Sequence, residues 1–470
     1  RQMCIRDRSV IEGTAAEANT LYDGKDQATG FTGIGDEAIT LTDTTVTATA
    51  LMDLYSSDGT SGIIDATTVH TITGTAGNAN TIYSQTSTFT GLGTENITIS
   101  GETNNSLAAS VLNTLNGNTT GNINADTVTT LTGSITDLNT AYAASAATGD
   151  GISNLGNEAI TLSDTSVTDV AALNTLNGNT TGNIDAGTNV TSFTGSISAL
   201  NTMFAAAGDS GDKIDFGGTG GAATQTVTIS DTTDVSVTGL NTLNTNTSGN
   251  IDATNVTSLA SASISDIKTL LTNGNNTTNN FAATSFQSLA TVAVSDTTVS
   301  VADLNDAIAQ AVTATSGTAT VFSVASGATI TTGDDAAFTA LRGHETNGNI
   351  DITDQNLTVS TGTISVANAI LLAATTTGTV TASIATTESV DSLKTLYDTG
   401  ETNAYTITIT ADAGDATGST AVEFNAINSA TSVAVNMNNV TALAASALSD
   451  VNTLALAINA GQFSNGGGLT

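Results

Sequence analysis

One dodecapeptide returns along this chain at a near-constant distance, and that recurrence restricts the fold more than any single residue does. Leu112-Asn113-Thr114-Leu115-Asn116-Gly117-Asn118-Thr119-Thr120-Gly121-Asn122-Ile123 recurs unchanged from Leu173 and with two substitutions from Leu240. A second motif lies between the copies, reading Val128-Thr129-Thr130-Leu131-Thr132-Gly133-Ser134-Ile135-Thr136-Asp137-Leu138-Asn139-Thr140-Ala141-Tyr142, with relatives from Val69, Val190 and Val256. A third landmark, Glu37-Ala38-Ile39-Thr40-Leu41, is echoed at Glu95 and Glu158. The first two motifs share a Leu-Asn-Thr ending, so a period of roughly 60 residues divides into two related coils of about 30. Past residue 290 the copies diverge while the rhythm persists, with strand starts at Val292 and Leu357 and a helix ending at Val451 to Leu454.

Each coil has a physical reading. Val128 to Leu131 is β-branched and extended, which predicts a short strand. Gly133 turns the chain, and Ser134 with Asp137 fits a capping box, repeated at Ser263 and Asp266. Ile135, Leu138 and Tyr142 then fall on one face of about two helical turns. So short a helix is marginal alone and needs a neighbour over its apolar stripe. The fold expected is a repeat solenoid, with parallel strands stacked in coils of about 30 residues, each carrying a short helix. Residues 9–290 form its regular part, and 291–470 form diverged coils continuous with the first.

Composition bears on compartment and partners. The 470 residues hold 43 acidic and 8 basic side chains, no proline and no tryptophan. Phosphate recognition runs on clustered Lys and Arg, so nucleic acid is excluded as a partner, and anionic membrane surfaces by the same sign argument. No apolar run reaches the length of a membrane span. Three of the basic residues and the sole cysteine, Cys4, fall within residues 1–8, which read as a non-native or unstructured leader set apart from the fold.

The quoted repeats, with Val190 to Ile197 and Gly156 to Leu162, resemble the tandem "beta strand repeat" modules of very large secreted or surface proteins of marine bacteria and cyanobacteria. The resemblance covers most of residues 9–290. It implies a secreted or cell-surface chain of structural, adhesive or matrix character with no catalytic role. It also implies partners that are further copies of itself, or cell-surface glycans. Two alternatives stand beside that expectation: a calcium-dependent module of an exported giant protein, and a segment of a phage or virion fibre.

Several residues invite chemistry. The Asn of the shared ending (Asn19, Asn80, Asn113, Asn139, Asn174, Asn201, Asn241, Asn452) predicts a ladder of amides bonding the backbone of adjacent coils. Tyr22, Tyr83, Tyr142, Phe204 and Tyr397 occupy equivalent slots at helix ends, where rings either stack on sugars or plug a core edge; the core is expected. Asp209, Asp212 and Asp215 lie on a Gly-bearing loop suited to calcium, against the reading of a solvated Asx turn. Asp334 with Asp335, and Asp412 with Asp415, are weaker versions of it. Arg342, His344 and Glu345 mix base, acid and cation without a nucleophile in register, and His70 alternates with Val69 and Ile72, facing water. No zinc, phosphate-loop or nucleophile-elbow motif is present.

Overall fold

The computed structural model describes residues 9–25, 33–56, 59–145, 151–207, 214–217, 223–276, 280–315, 320–396, 403–410, 418–437, 440 and 442–464. The chain divides into two compact units, residues 1–228 with 246–249, and residues 229–245 with 250–470.

In the first unit the helices are α1 (Ala15–Asp23), α2 (Ala48–Tyr55), α3 (Ala76–Ser84), α4 (Ala109–Asn118), α5 (Ile135–Ser145), α6 (Val170–Asn179) and α7 (Ile197–Ala205), each packing on the next. Short strands between them pair in parallel with strands one repeat away. Ile72 faces Ile97, which faces Ile123, which faces Ile152; Leu107 faces Leu131, which faces Ile160. Those aligned side chains are buried. The period-2 alternation therefore puts one file of apolar residues inward and leaves Thr, Ser and Asn outside.

The second unit holds most of α8 (Val237–Asn246), then α9 (Ile264–Asn275), α10 (Val301–Ala314), α11 (Asp335–Thr346), α12 (Val366–Ala373), α13 (Val390–Leu393), α14 (Ala421–Ser429) and α15 (Leu448–Asn459). Its strands are again parallel, as in Val292 facing Phe322 and Ile330 facing Leu357.

The expectation of one continuous repeat solenoid, with parallel strands stacked in coils of about 30 residues and a short helix on each, is corrected by this architecture. Among the described residues helix accounts for 37% and strand for 24%, and the strands form seven separate small parallel sheets interleaved with helices. The reason lies in element lengths. Many strands are two residues long, as at Ile123–Asn124 and Ile184–Asp185, and make few ladder bonds, whereas helices reach 14 residues in α10. The sheets accordingly stop at four or five strands, or at two in the smallest. The fold is mixed α/β.

Helix starts follow a rule visible in the side chains. Thr14, Thr47, Thr75, Ser196, Ser263, Ser300 and Ser365 cap their own helices through their hydroxyls. A carboxylate from the next repeat then takes the first helical N–H. Asp43 accepts from Ala15, Glu102 from Ala76, Asp164 from Ile135 and Asp296 from Ile264, at 2.7–2.8 Å. These four carboxylates thus sit at helix N-termini, where the peptide dipoles favour negative charge.

Candidate functional site

Three repeats place a tyrosine, a glutamate, a threonine and a glycine in one arrangement. Tyr22, Tyr83 and Tyr142 stand at the ends of α1, α3 and α5. Their hydroxyls donate to Oε2 of Glu37 (3.3 Å), Glu95 (2.8 Å) and Glu158 (2.9 Å), across 15, 12 and 16 residues of sequence. The same Oε2 accepts the N–H of the glycine two residues earlier, Gly35, Gly93 or Gly156, at 2.8–2.9 Å. Each carboxylate is therefore oriented from two sides by a tight Gly-x-Glu turn and a phenol.

The glutamate backbone is held as firmly as its side chain. Thr60, Thr119 and Thr180 donate their hydroxyls to the carbonyls of Glu37, Glu95 and Glu158 at 2.7–3.0 Å. Those hydroxyls in turn accept from Gly62, Gly121 and Gly182. The glycines are required by contact: a Cβ there would lie 2.0–2.3 Å from the glutamate carbonyl oxygen.

Glu37, Glu95 and Glu158 are buried, at 5%, 0% and 1% exposure. Burial raises the three tyrosines above the ordinary phenol value, Tyr83 and Tyr142 strongly, with the adjacent carboxylates adding to the effect. In the second and third copies the remaining carboxylate oxygen, Oε1 of Glu95 and of Glu158, is buried without a hydrogen-bond partner. A buried, unsatisfied carboxylate oxygen is costly.

A fourth copy shows what happens without the hydroxyl. Phe204 takes the tyrosine position and Gln225 the glutamate position, while Gly249 still donates to the Thr247 hydroxyl, which here bonds the Ala223 carbonyl. Gln225 bonds the Phe216 carbonyl through Nε2 at 3.0 Å, and Phe204 packs against Phe193 and Phe216, with ring centres 6.4 and 5.3 Å away. Gln355, with Thr376 and Gly378, repeats the neutral form in the second unit. Acid and phenol disappear together, as expected if each requires the other.

A second polar network runs along the helices. Asn19, Asn80, Asn113, Asn139, Asn174, Asn241, Asn305 and Asn425 each donate Nδ2 to a carbonyl of a later helix, those of Ala50, Val111, Asp137, Ala172, Ala199, Asp266, Ala337 and Asp450, at 2.9–3.2 Å. The acceptor is always the third residue of its helix. Ion pairs join neighbouring elements at partly exposed positions: Lys268 with Asp303 and Asp306, and Lys394 with Asp391 and Glu423.

The Asn ladder is the one the sequence predicts, whereas the buried Tyr–Glu pairs overturn the expectation of a purely structural, adhesive or matrix chain with no catalytic role. Oriented, desolvated acid–phenol pairs are the arrangement that acid–base chemistry uses.

The remaining sequence candidates fall elsewhere. Asp209 and Asp212 lie outside the described residues, as do Asp412, Asp415 and Tyr397. Asp215, facing Asp185 on a parallel strand, accepts the N–H of Gly217. Asp334 caps α11 through the N–H of Ala337, and Asp335 accepts from the Asn368 side chain. Arg342, His344 and Glu345 all lie on α11, where burial lowers His344, and His70 is exposed. Among the described residues no three histidine, cysteine or acidic side chains gather as metal ligands, and no helix is long and apolar enough to cross a membrane. A cleft of about 190 Å³, lined by Phe281, Gln287 and Ala314 among others, does not touch the Tyr–Glu pairs.

The sequence motifs marked Glu37, Glu95 and Glu158 as landmarks of a strand start and the tyrosines as core plugs, but did not join them. The signal was present as a glycine two residues before each glutamate, with a Thr-x-Gly further on. In comparison with known proteins, no family model and no curated protein matches the chain.

Proposed function

We propose that the chain works through its Tyr–Glu pairs as acid–base groups, with Glu95 and Glu158 as proton acceptors in a hydrolytic or proton-transfer reaction. The observation that carries this reading is the state of the two carboxylates. One oxygen is fixed by a phenol and a backbone N–H, and the other, buried, has no partner. Fixing one oxygen aims the other, as a general base requires, and exclusion of water strengthens its interaction with an incoming proton donor. Both carboxylates are covered, so this reading requires the Gly-x-Glu turn (Gly93 to Glu95, Gly156 to Glu158) to open for a reactant to reach Oε1.

The test is an activity screen of the full chain on chromogenic esters and glycosides, beside a Glu95→Gln/Glu158→Gln double variant. Gln already occupies the equivalent place at position 225, so the variant is expected to fold. Turnover in the parent chain should fall about 10²–10⁴-fold in the variant. Absence of turnover in the parent, or equal turnover in both, contradicts the reading.

A further inference from the structure

Of the side chains that give up a single electron most readily, the chain has no tryptophan and one cysteine, Cys4, which lies outside the described residues. Tyrosine remains, and its phenol loses an electron easily only when a base takes the proton in the same event. The hydroxyls of Tyr22, Tyr83 and Tyr142 each meet such a base, Glu37, Glu95 and Glu158, at 3.3, 2.8 and 2.9 Å. Tyr55, 38% exposed, has no carboxylate on its hydroxyl among the described residues.

The resting pair holds one negative charge away from water, on a glutamate 5%, 0% or 1% exposed in the three copies. Burying that charge is costly, and more so where Oε1 of Glu95 and of Glu158 has no partner. Loss of an electron from the phenol, with transfer of its proton to the carboxylate, leaves two neutral groups. The cost of the buried charge is thereby removed, a gain that an exposed tyrosine does not have. Burial also raises the three phenols, so prior release of the proton to water is the harder route. Tyr83 is half-buried and Tyr142 is 5% exposed, so each side chain still touches the surface from which an electron leaves.

We propose that these Tyr–Glu pairs are one-electron redox sites, served by an outer-sphere oxidant at the protein surface. In the step, the phenol O–H bond breaks and its proton forms an O–H bond on glutamate Oε2, along the hydrogen bond already in place. One electron passes to the oxidant, which is reduced. The tyrosine is left as a neutral phenoxyl radical that accepts a hydrogen bond from the new carboxylic acid. Return of the electron and the proton restores the pair. The glycine N–H on the same Oε2 holds the carboxyl group in place throughout. This chemistry rests on the reading of the glutamates as proton acceptors, but it needs no hydrolytic substrate.

The full chain, oxidised with photogenerated tris(bipyridine)ruthenium(III) and frozen for electron paramagnetic resonance beside three variants, tests this. The parent should give a neutral tyrosyl radical. Glu37→Gln/Glu95→Gln/Glu158→Gln keeps every phenol but no base, and should slow radical formation at least about tenfold. Tyr22→Phe/Tyr83→Phe/Tyr142→Phe should lose most of the signal, and Tyr55→Phe should keep it. Phe204 and Gln225 already occupy the equivalent places, and circular dichroism checks that each variant keeps the parent helix content. A parent without the radical overturns the inference. So does a signal that either triple variant leaves unchanged, or that Tyr55→Phe removes. A radical without ester or glycoside turnover contradicts the hydrolytic reading alone; turnover without a radical contradicts this inference alone.

Discussion

The Tyr142 hydroxyl donates to Glu158 Oε2 at 2.9 Å inside the fold, joining the end of α5 to the turn that follows it 16 residues later. Burial holds this phenol, and that of Tyr83, far above the ordinary value of 10.0. The folded state therefore keeps its phenolic protons where the unfolded chain releases them. Their contribution to stability is full below about pH 10 and is lost as pH rises above it. The melting temperature should fall steeply above pH 10 in the parent chain, and less steeply in Tyr83→Phe/Tyr142→Phe.

Two glycines four residues apart, Gly117 and Gly121, should respond to the same substitution with opposite sign. A Cβ at Gly121 would lie 2.3 Å from the Glu95 carbonyl oxygen, while at Gly117, inside α4, it meets nothing within 4 Å. Gly121→Ala should cost about 2–3 kcal/mol by forcing the Glu95 turn outward. Gly117→Ala should stabilise by about 0.5–1 kcal/mol, through loss of backbone freedom in the unfolded chain. Urea titrations of the two variants distinguish them.

The asparagine ladder makes a chemical distinction that packing alone does not. Asn139 donates to the Ala172 carbonyl at 2.9 Å and accepts from Asn179. Asn139→Ala should lose about 1–2 kcal/mol for the carbonyl left unpaired. Asn139→Asp replaces a donor with a carboxylate facing that carbonyl, so its melting temperature should drop further at pH 7 than that of the alanine variant, and recover toward pH 3 as the carboxyl protonates.

Local chemistry was legible in the sequence, and its long-range pairing was not. Ser134 and Ser263 cap as their spacing implies, accepting the N–H of Asp137 and Asp266, but the two carboxylates accept from the serine hydroxyls rather than from the backbone N–H that a full capping box uses. The strand expected at Val128 to Leu131 begins later, at Thr130, because the Val128 N–H closes a turn on the Ala125 carbonyl. The continuous stack of strands is not found because β-branched runs such as Thr-Val-Thr flank longer helices than expected, leaving two to five residues for each strand among the described residues. Glu95 and Tyr83 were visible separately, but only the turn through Gly93 brings them within 2.8 Å. Inter-repeat caps such as Asp164 on Ile135 span 29 residues and follow no local pattern.

The double-mutant cycle of Tyr142→Phe and Glu158→Gln, read by urea unfolding, tests most directly whether phenol and carboxylate form one unit. Tyr142→Phe removes the donor to Glu158 Oε2, at about 1–3 kcal/mol, and Glu158→Gln keeps an acceptor for the phenol but exchanges the charged oxygen for a weaker, neutral one. The double variant reproduces the Phe204–Gln225 pairing that the chain already contains. Its loss should therefore be smaller than the sum of the single losses by at least about 1 kcal/mol. Losses that add to within about 0.3 kcal/mol would show two independent side chains, and contradict the pair as a functional group.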